Sequence, residues 1–260
     1  MPLSFVYIES VIFGLVFGSF ANVVIYRVPR GESVVSPPSH CTACGKRLSV
    51  LDLIPVISWL MLKGRCRYCG ARISIRYPVT EATCAMLFFF MALYAGISLS
   101  LFPLCLFAFV LLCVSVIDAK TQEIPNGLLI FGAAVGAVWV GAGCFLPALD
   151  SPPLTDALPG ILAGGLPLFV IDRLVLLLIK KDGFGFGDVK LMAMAGLYLG
   201  WELTLAAFFF AFIAGGGYGA FLLATRRAGR NEYIAFGPFL CAGALAALWF
   251  GESFLYLLNM

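Results

Sequence analysis

Cys41-Thr-Ala-Cys44 and Cys66-Arg-Tyr-Cys69 stand in the one long polar stretch of an otherwise apolar chain. Two CxxC pairs with 21 residues between them have the spacing of a four-thiolate zinc site. On both sides of this stretch the sequence turns strongly hydrophobic. Reading the tetrad as one small folded module therefore decides the architecture: a metal-held domain hung from a set of membrane helices.

Working outward, the 260-residue chain is 62% hydrophobic and 12% charged, with a mean hydropathy of +1.00. A soluble chain of this length cannot hide that much apolar surface, so lipid is the solvent for most of it. Runs long enough to cross a bilayer lie near 5–26, 81–98, 101–118, 127–146, 157–179, 188–201, 203–224 and 237–258. The sixth is short for a full span. The expected fold is all-α and polytopic, with about eight transmembrane helices and the four-Cys module between the first two. The expected division is a first transmembrane helix over 1–26, a zinc-binding module over 27–80 and a membrane-embedded domain over 81–260.

Basic residues orient these spans. Arg27 and Arg30 follow the first, and Lys46, Arg47, Lys63, Arg65, Arg67, Arg72 and Arg76 fill the stretch before the second. Lys120 follows the third; Lys180, Lys181 and Lys190 come after the fifth; Arg226, Arg227 and Arg230 follow the seventh. Sixteen of the seventeen Lys and Arg thus fall in alternate connections or, as Lys190 does, at the near edge of the next run, and Arg173 sits two turns inside the fifth span. By the positive-inside rule the basic connections are cytoplasmic and both termini lie on the far side. The N-terminal segment has no basic n-region and no small-residue cleavage site, so 5–26 reads as a permanent span.

Residues 27–80 are too few for a generous core, and metal ligation can supply the missing stability. Each CxxC offers two sulfurs from one tight turn closed by Gly45 or Gly70, and four thiolates leave no open coordination position, which marks a structural site. A redox dithiol would need one CxxC and not two. His40 is an alternative ligand that four thiolates do not require. Cys84, Cys105, Cys113, Cys144 and Cys241 fall in or near apolar runs and read as small hydrophobes. Leu51–Pro55 and Ile57–Met61 are apolar enough to lie against a membrane surface.

Two acids fall at the cytoplasmic edge of their spans. Asp118 closes the third and precedes Ile124-Pro-Asn126, while Asp188 opens the sixth after the run Gly183-Phe-Gly185-Phe-Gly187. Either alone reads equally well as a boundary aspartate reaching water. Together they place two carboxyls at one membrane depth, where a pair in contact shares one proton and can divide acid and base roles. Gly185 and Gly187 free the backbone for close approach, and Lys190 follows one turn on. Asp172 beside Arg173 most simply neutralises itself, and Glu81 reads as a carboxylate at a helix N-terminus. Phe88–Phe90 and Phe208–Phe210 suit a docking groove and lipid contact equally.

An ordered series of motifs then points to a family. It comprises Phe17-Gly-Ser-Phe-Ala-Asn-Val-Val-Ile-Tyr-Arg-Val-Pro29, Pro37-Pro-Ser-His-Cys41, the tetrad, Gly64-Arg-Cys-Arg-Tyr-Cys69 and Ile75-Arg-Tyr-Pro78 with Glu81. Asp118 with Ile124-Pro125-Asn126, Gly185-x-Gly187-Asp188 with Lys190, and Phe236-Gly-Pro-Phe239 complete it. In these segments the chain resembles the bacterial type IV prepilin peptidases, bifunctional leader peptidases and N-methyltransferases. Ala235 stands where that family often has proline.

The resemblance implies catalytic aspartates at Asp118 and Asp188, an active-site loop with Gly185, Gly187 and Lys190, and Zn2+ on Cys41, Cys44, Cys66 and Cys69. It implies removal of a short basic leader from prepilins or pseudopilins, after glycine and on the cytoplasmic side. Methylation of the new N-terminus with S-adenosylmethionine follows from the resemblance alone, because no glycine-rich cofactor turn is present. The implied setting is the bacterial inner membrane, crossed many times, with the lipid bilayer and prepilin substrates as partners and no nucleic acid. Oligomeric state is not encoded in any motif. Two rival readings are a zinc-tethered transporter or proton relay and a secretion-assembly factor without chemistry. Relay carboxyls usually sit nearer the midplane and continue across it.

Overall fold

A computed structural model describes residues 3–179, 185–225 and 235–258. Lys180, Lys181, Gly183, Arg226, Arg227 and Arg230, used above to orient the spans or to extend the glycine run, lie outside the described residues. The regular structure described is helical, apart from two isolated antiparallel bridges, His40 with Arg47 and Arg65 with Arg72. Among the described residues, seven helices are long and apolar enough to cross a membrane. The chain divides into two compact units, Met1–Cys113 and Val114–Met260.

In the first unit, helix α1 (Leu3–Arg27) leads into the polar module, which contains the short helix α2 (Ile57–Met61) and ends at α3 (Arg76–Ala95). α3 starts earlier than the apolar run suggested, because Pro78 falls in its first turn, where no intrahelical N–H is needed. α1 and α3 pack closely: a β-carbon added at Gly18 would lie 2.6 Å from the Glu81 Cα. Phe88 is buried and its ring sits 5.5 Å from that of Phe17, so this member of the aromatic triplet is core, while Phe90 is exposed. Leu51, Leu60 and Met61 stay exposed, an apolar face on an otherwise polar module.

Helix α4 (Leu101–Thr121) belongs to the second unit from Val114 onward. It is followed there by α5 (Asn126–Gly143), α6 (Leu154–Ile179), α7 (Phe186–Ala224) and α8 (Gly237–Leu258). α7 covers both the sixth and seventh expected spans and is broken at Gly200, whose φ of 73° and ψ of 176° are not helical. Its two arms have different partners. The first packs antiparallel on α6, where a β-carbon at Gly160 would collide with the Gly196 carbonyl oxygen and one at Gly164 with that of Met192. The second packs antiparallel on α8, with Gly243 against the Ala207 carbonyl and Gly215 against the rings of Phe236 and Phe239. Gly185, at the start of the first arm, and Phe236, which packs on the second, line one cavity. A chain that returns to its starting level must reverse, and the reversal is at Gly200. The short sixth run is therefore one arm of a hairpin, and the small-residue contacts are what let helices associate in lipid.

Tyr198 joins the first arm to α5 through a 2.7 Å hydrogen bond to the Gly132 carbonyl. Asp172 is buried and pairs with Arg173 at 2.9 Å, the self-neutralising pair read from their adjacency. Cys84, Cys105, Cys113 and Cys241 are buried within helices, as expected of small apolar side chains, whereas Cys144 is exposed.

Candidate functional site

Four helix ends of the second unit converge on one polar cavity of about 350 Å3. Asp118 reaches it from the last turn of α4, and Asp188 from the first turn of α7. Both residues are buried, 5% and 6% exposed, while Gln122, Glu123 and Asn126 form an exposed rim. The sequence placed these aspartates at one depth; the fold brings them to one cavity.

The surroundings explain how they are held. The Gly237 backbone N–H, at the start of α8, donates to Asp118 Oδ2 at 3.0 Å. A side chain at this position would displace the carboxylate, since an added β-carbon would lie 2.6 Å from the same oxygen. Gly187 packs on Ile124, 2.9 Å from where its β-carbon would be, so the residue before Asp188 rests on the loop that follows Asp118. Lys190 Nζ donates to Asn126 Oδ1 at 2.9 Å and ties the start of α7 to the start of α5. Asp188 occupies the third position of its helix, where the helix dipole favours a carboxylate. Two buried carboxyls lining one polar cavity are equipped to activate a water and to protonate a leaving group.

The polar module of the first unit is built from two matching turns. Gly45 N–H donates to the Cys41 carbonyl at 2.8 Å and Gly70 N–H to that of Cys66 at 2.9 Å, with φ of 71° at both glycines. The sulfurs of Cys41, Cys44, Cys66 and Cys69 lie within 4.8 Å of one another, and Cys41 Sγ is 3.9 Å from Cys69 Sγ. Tetrahedral thiolates around zinc are about 3.8 Å apart, so the four fit a metal ion closely. Backbone N–H groups of Cys44 and Ala43 bring the Cys41 thiol down to about 6, toward the thiolate a metal needs. His40 is not in the cluster; its Nδ1 lies 3.1 Å from the Pro38 carbonyl.

Several contacts around the module give roles that the motifs did not. Arg27, read above as an orienting charge and as part of the first motif, is buried and donates to the carbonyls of Ser33 at 2.9 Å and Pro37 at 2.6 Å. Asp52 accepts from Ser49 Oγ at 2.7 Å and pairs with Arg67 Nε at 2.6 Å, holding the segment between the knuckles to the second knuckle. Glu81 does not open its helix, which begins at Arg76. It accepts the Val56 N–H at 2.7 Å and so fastens the module to α3. The earlier helix start is the physical reason for the difference.

Comparison with known proteins agrees along the chain. The Bacterial Peptidase A24 N-terminal domain matches residues 12–95, and the Type IV leader peptidase family matches residues 105–220. A prepilin leader peptidase/N-methyltransferase of Bacillus subtilis is 37% identical over 244 residues, 93% of each chain. Proteins of the same name from Pseudomonas putida and Pseudomonas aeruginosa are 33% and 32% identical over 100% and 95% of this chain and 95% and 91% of their own. No solved structure matches. With two buried aspartates on one cavity, a four-cysteine module and relatives along nearly its whole length, the chain belongs to the type IV leader peptidase family.

Proposed function

We propose that this protein is a membrane-embedded aspartic endopeptidase that removes the leader of type IV prepilins or pseudopilins, with residues 81–260 as its peptidase domain. The observation that carries the reading is the pair of buried carboxyls, Asp118 and Asp188, on one cavity. One carboxylate takes a proton from water as its oxygen attacks the carbonyl carbon of the glycine that ends the leader. The protonated partner polarises the carbonyl oxygen and then delivers its proton to the amine nitrogen as the C–N bond breaks. Gly237 holds the Asp118 carboxylate, and beside Asp188 the cavity is lined by Gly185 just before α7 and by Gly187 and Lys190 at the start of that helix, a stretch that is helical where a loop was expected. The basic connections, read by the positive-inside rule, put this cavity at the cytoplasmic face of a bacterial inner membrane and both termini outside.

Cys41, Cys44, Cys66 and Cys69 hold Zn2+ as a structural ion, which would supply folding free energy and no open position for chemistry. The relatives' names add methylation of the new N-terminus, for which S-adenosylmethionine is the methyl donor. A relay or transporter reading finds less support: Asp172, the other buried acid among the described residues of the second unit, is ion-paired with Arg173. The test is to incubate wild-type membranes with a prepilin-like substrate carrying Gly–Phe at the junction and weigh the product's N-terminus. A product starting at phenylalanine and one methyl group heavier supports both activities. An uncut substrate contradicts the reading.

A further inference from the structure

A second cavity, of about 640 Å3, lies wholly within the first unit between the module and the adjoining ends of α1 and α3. Its volume sits well inside the range of small-molecule sites, roughly 300–1,000 Å3. The dyad cavity is little more than half as large and is lined mainly by polar groups.

The charges that line the larger cavity fall into two groups. Asp52 is paired with Arg67, and Arg27 spends two of its nitrogens on loop carbonyls. What remains is two carboxylates, Glu32 and Glu81, and one guanidinium, Arg72, none of them in an ion pair among the described residues. Glu81 is buried and keeps only neutral partners, the Val56 N–H and Ser19. Trp59 and Tyr77 line the same cavity. A ligand complementary to this set carries two cations, one carboxylate and a flat heterocycle. S-adenosylmethionine, with its sulfonium, ammonium, carboxylate and adenine, has that pattern; adenosine phosphates do not.

We propose that this cavity is the S-adenosylmethionine site, with Glu32 and Glu81 facing the two cationic groups, Arg72 the carboxylate, and Trp59 and Tyr77 the adenine. The assignment rests on the N-methyltransferase reading above and places binding on residues remote in sequence from Asp118 and Asp188. Cations are favoured by carboxylates and by aromatic faces, and a bidentate guanidinium suits a carboxylate.

The test is calorimetric titration of S-adenosylmethionine into the full-length, zinc-loaded protein in detergent, with ATP as a competing probe. One saturable site is expected, with Glu32→Gln and Arg72→Gln each weakening it about tenfold or more. Glu252→Gln, on the exposed end of α8, should bind as wild type, and ATP should compete at least about tenfold more weakly. Zinc content and a thermal melt verify that each variant is folded. As a second measurement, wild-type tryptophan fluorescence should change on titration and the Trp59→Phe variant should lose that change. Unaltered affinity in both charge variants, equal competition by ATP, or a fluorescence change kept in Trp59→Phe overturns the assignment. A preparation that cleaves a leader but does not bind overturns the site and leaves the peptidase standing. One that binds but never cleaves does the reverse.

Discussion

Replacing Gly237 by alanine tests how the site is held without touching either aspartate. A carbon–oxygen contact settles at about 3.3 Å or more, and the new β-carbon would start 2.6 Å from Asp118 Oδ2. The carboxylate must therefore retreat by roughly 0.7 Å, which carries its 3.0 Å bond from the Gly237 N–H out of hydrogen-bonding range. Losing a hydrogen bond to a carboxylate costs about 1.5–3 kcal/mol. At about 1.4 kcal/mol per tenfold, that is a fall of roughly 10- to 150-fold in rate. A misplacement near 1 Å gives a similar figure, on the order of 100-fold. The loss should appear in kcat, with KM changed less than about threefold, because the substrate is held by other surfaces. The assay is leader cleavage in detergent at several substrate concentrations, with zinc content and a thermal melt to show an intact fold. A folded Gly237→Ala enzyme that cleaves within about threefold of wild type would refute the account of how Asp118 is positioned.

Other consequences follow from the packing and the module. Gly196→Val forces a side chain onto the Gly160 carbonyl; overpacking of this kind costs about 1–3 kcal/mol or more, so the detergent melt should drop by several degrees. An unchanged melt would mean that the first arm of α7 does not touch α6. Cys44→Ser should release the metal and open residues 28–75 to limited proteolysis, and full zinc occupancy by mass spectrometry would exclude the four-thiolate site. Asp52 supplies a pH test. The Ser49 hydroxyl, with the Arg67 guanidinium, holds its carboxyl below the usual range, so its contribution is complete above about pH 4 and is lost as pH falls through the lowered value. Asp52→Asn should therefore weaken the module near neutral pH, and its difference from wild type should shrink in acid. A difference that grows as pH falls would contradict this sign.

The spans were legible because a membrane helix must be apolar along its whole length, and the tetrad because metal ligands keep fixed spacings. Asp118 and Asp188 stood out as a pair, two carboxyls at one membrane depth, each beside its own motif. The contacts that hold them left weaker traces. Gly237 works through a backbone N–H, a group every residue but proline carries, so Phe236-Gly-Pro-Phe239 marked the place without its role. The hairpin in α7 depends on the backbone angles of Gly200, one of 28 glycines, and composition does not separate it from the others. Glu81 sits 25 residues from Val56, and the link between them is made by the module folding back on α3. Asp52 and Arg67 likewise meet only once the second knuckle has formed.

The most direct test of the central claim is leader cleavage by Asp118→Asn and Asp188→Asn, each inserted in membranes at wild-type levels beside the unaltered enzyme. Asparagine keeps the shape of either side chain and removes its ability to ionise. The account predicts cleavage by wild type and no product from either variant. Normal processing by one of them would contradict a two-aspartate mechanism, however close the two carboxyls lie.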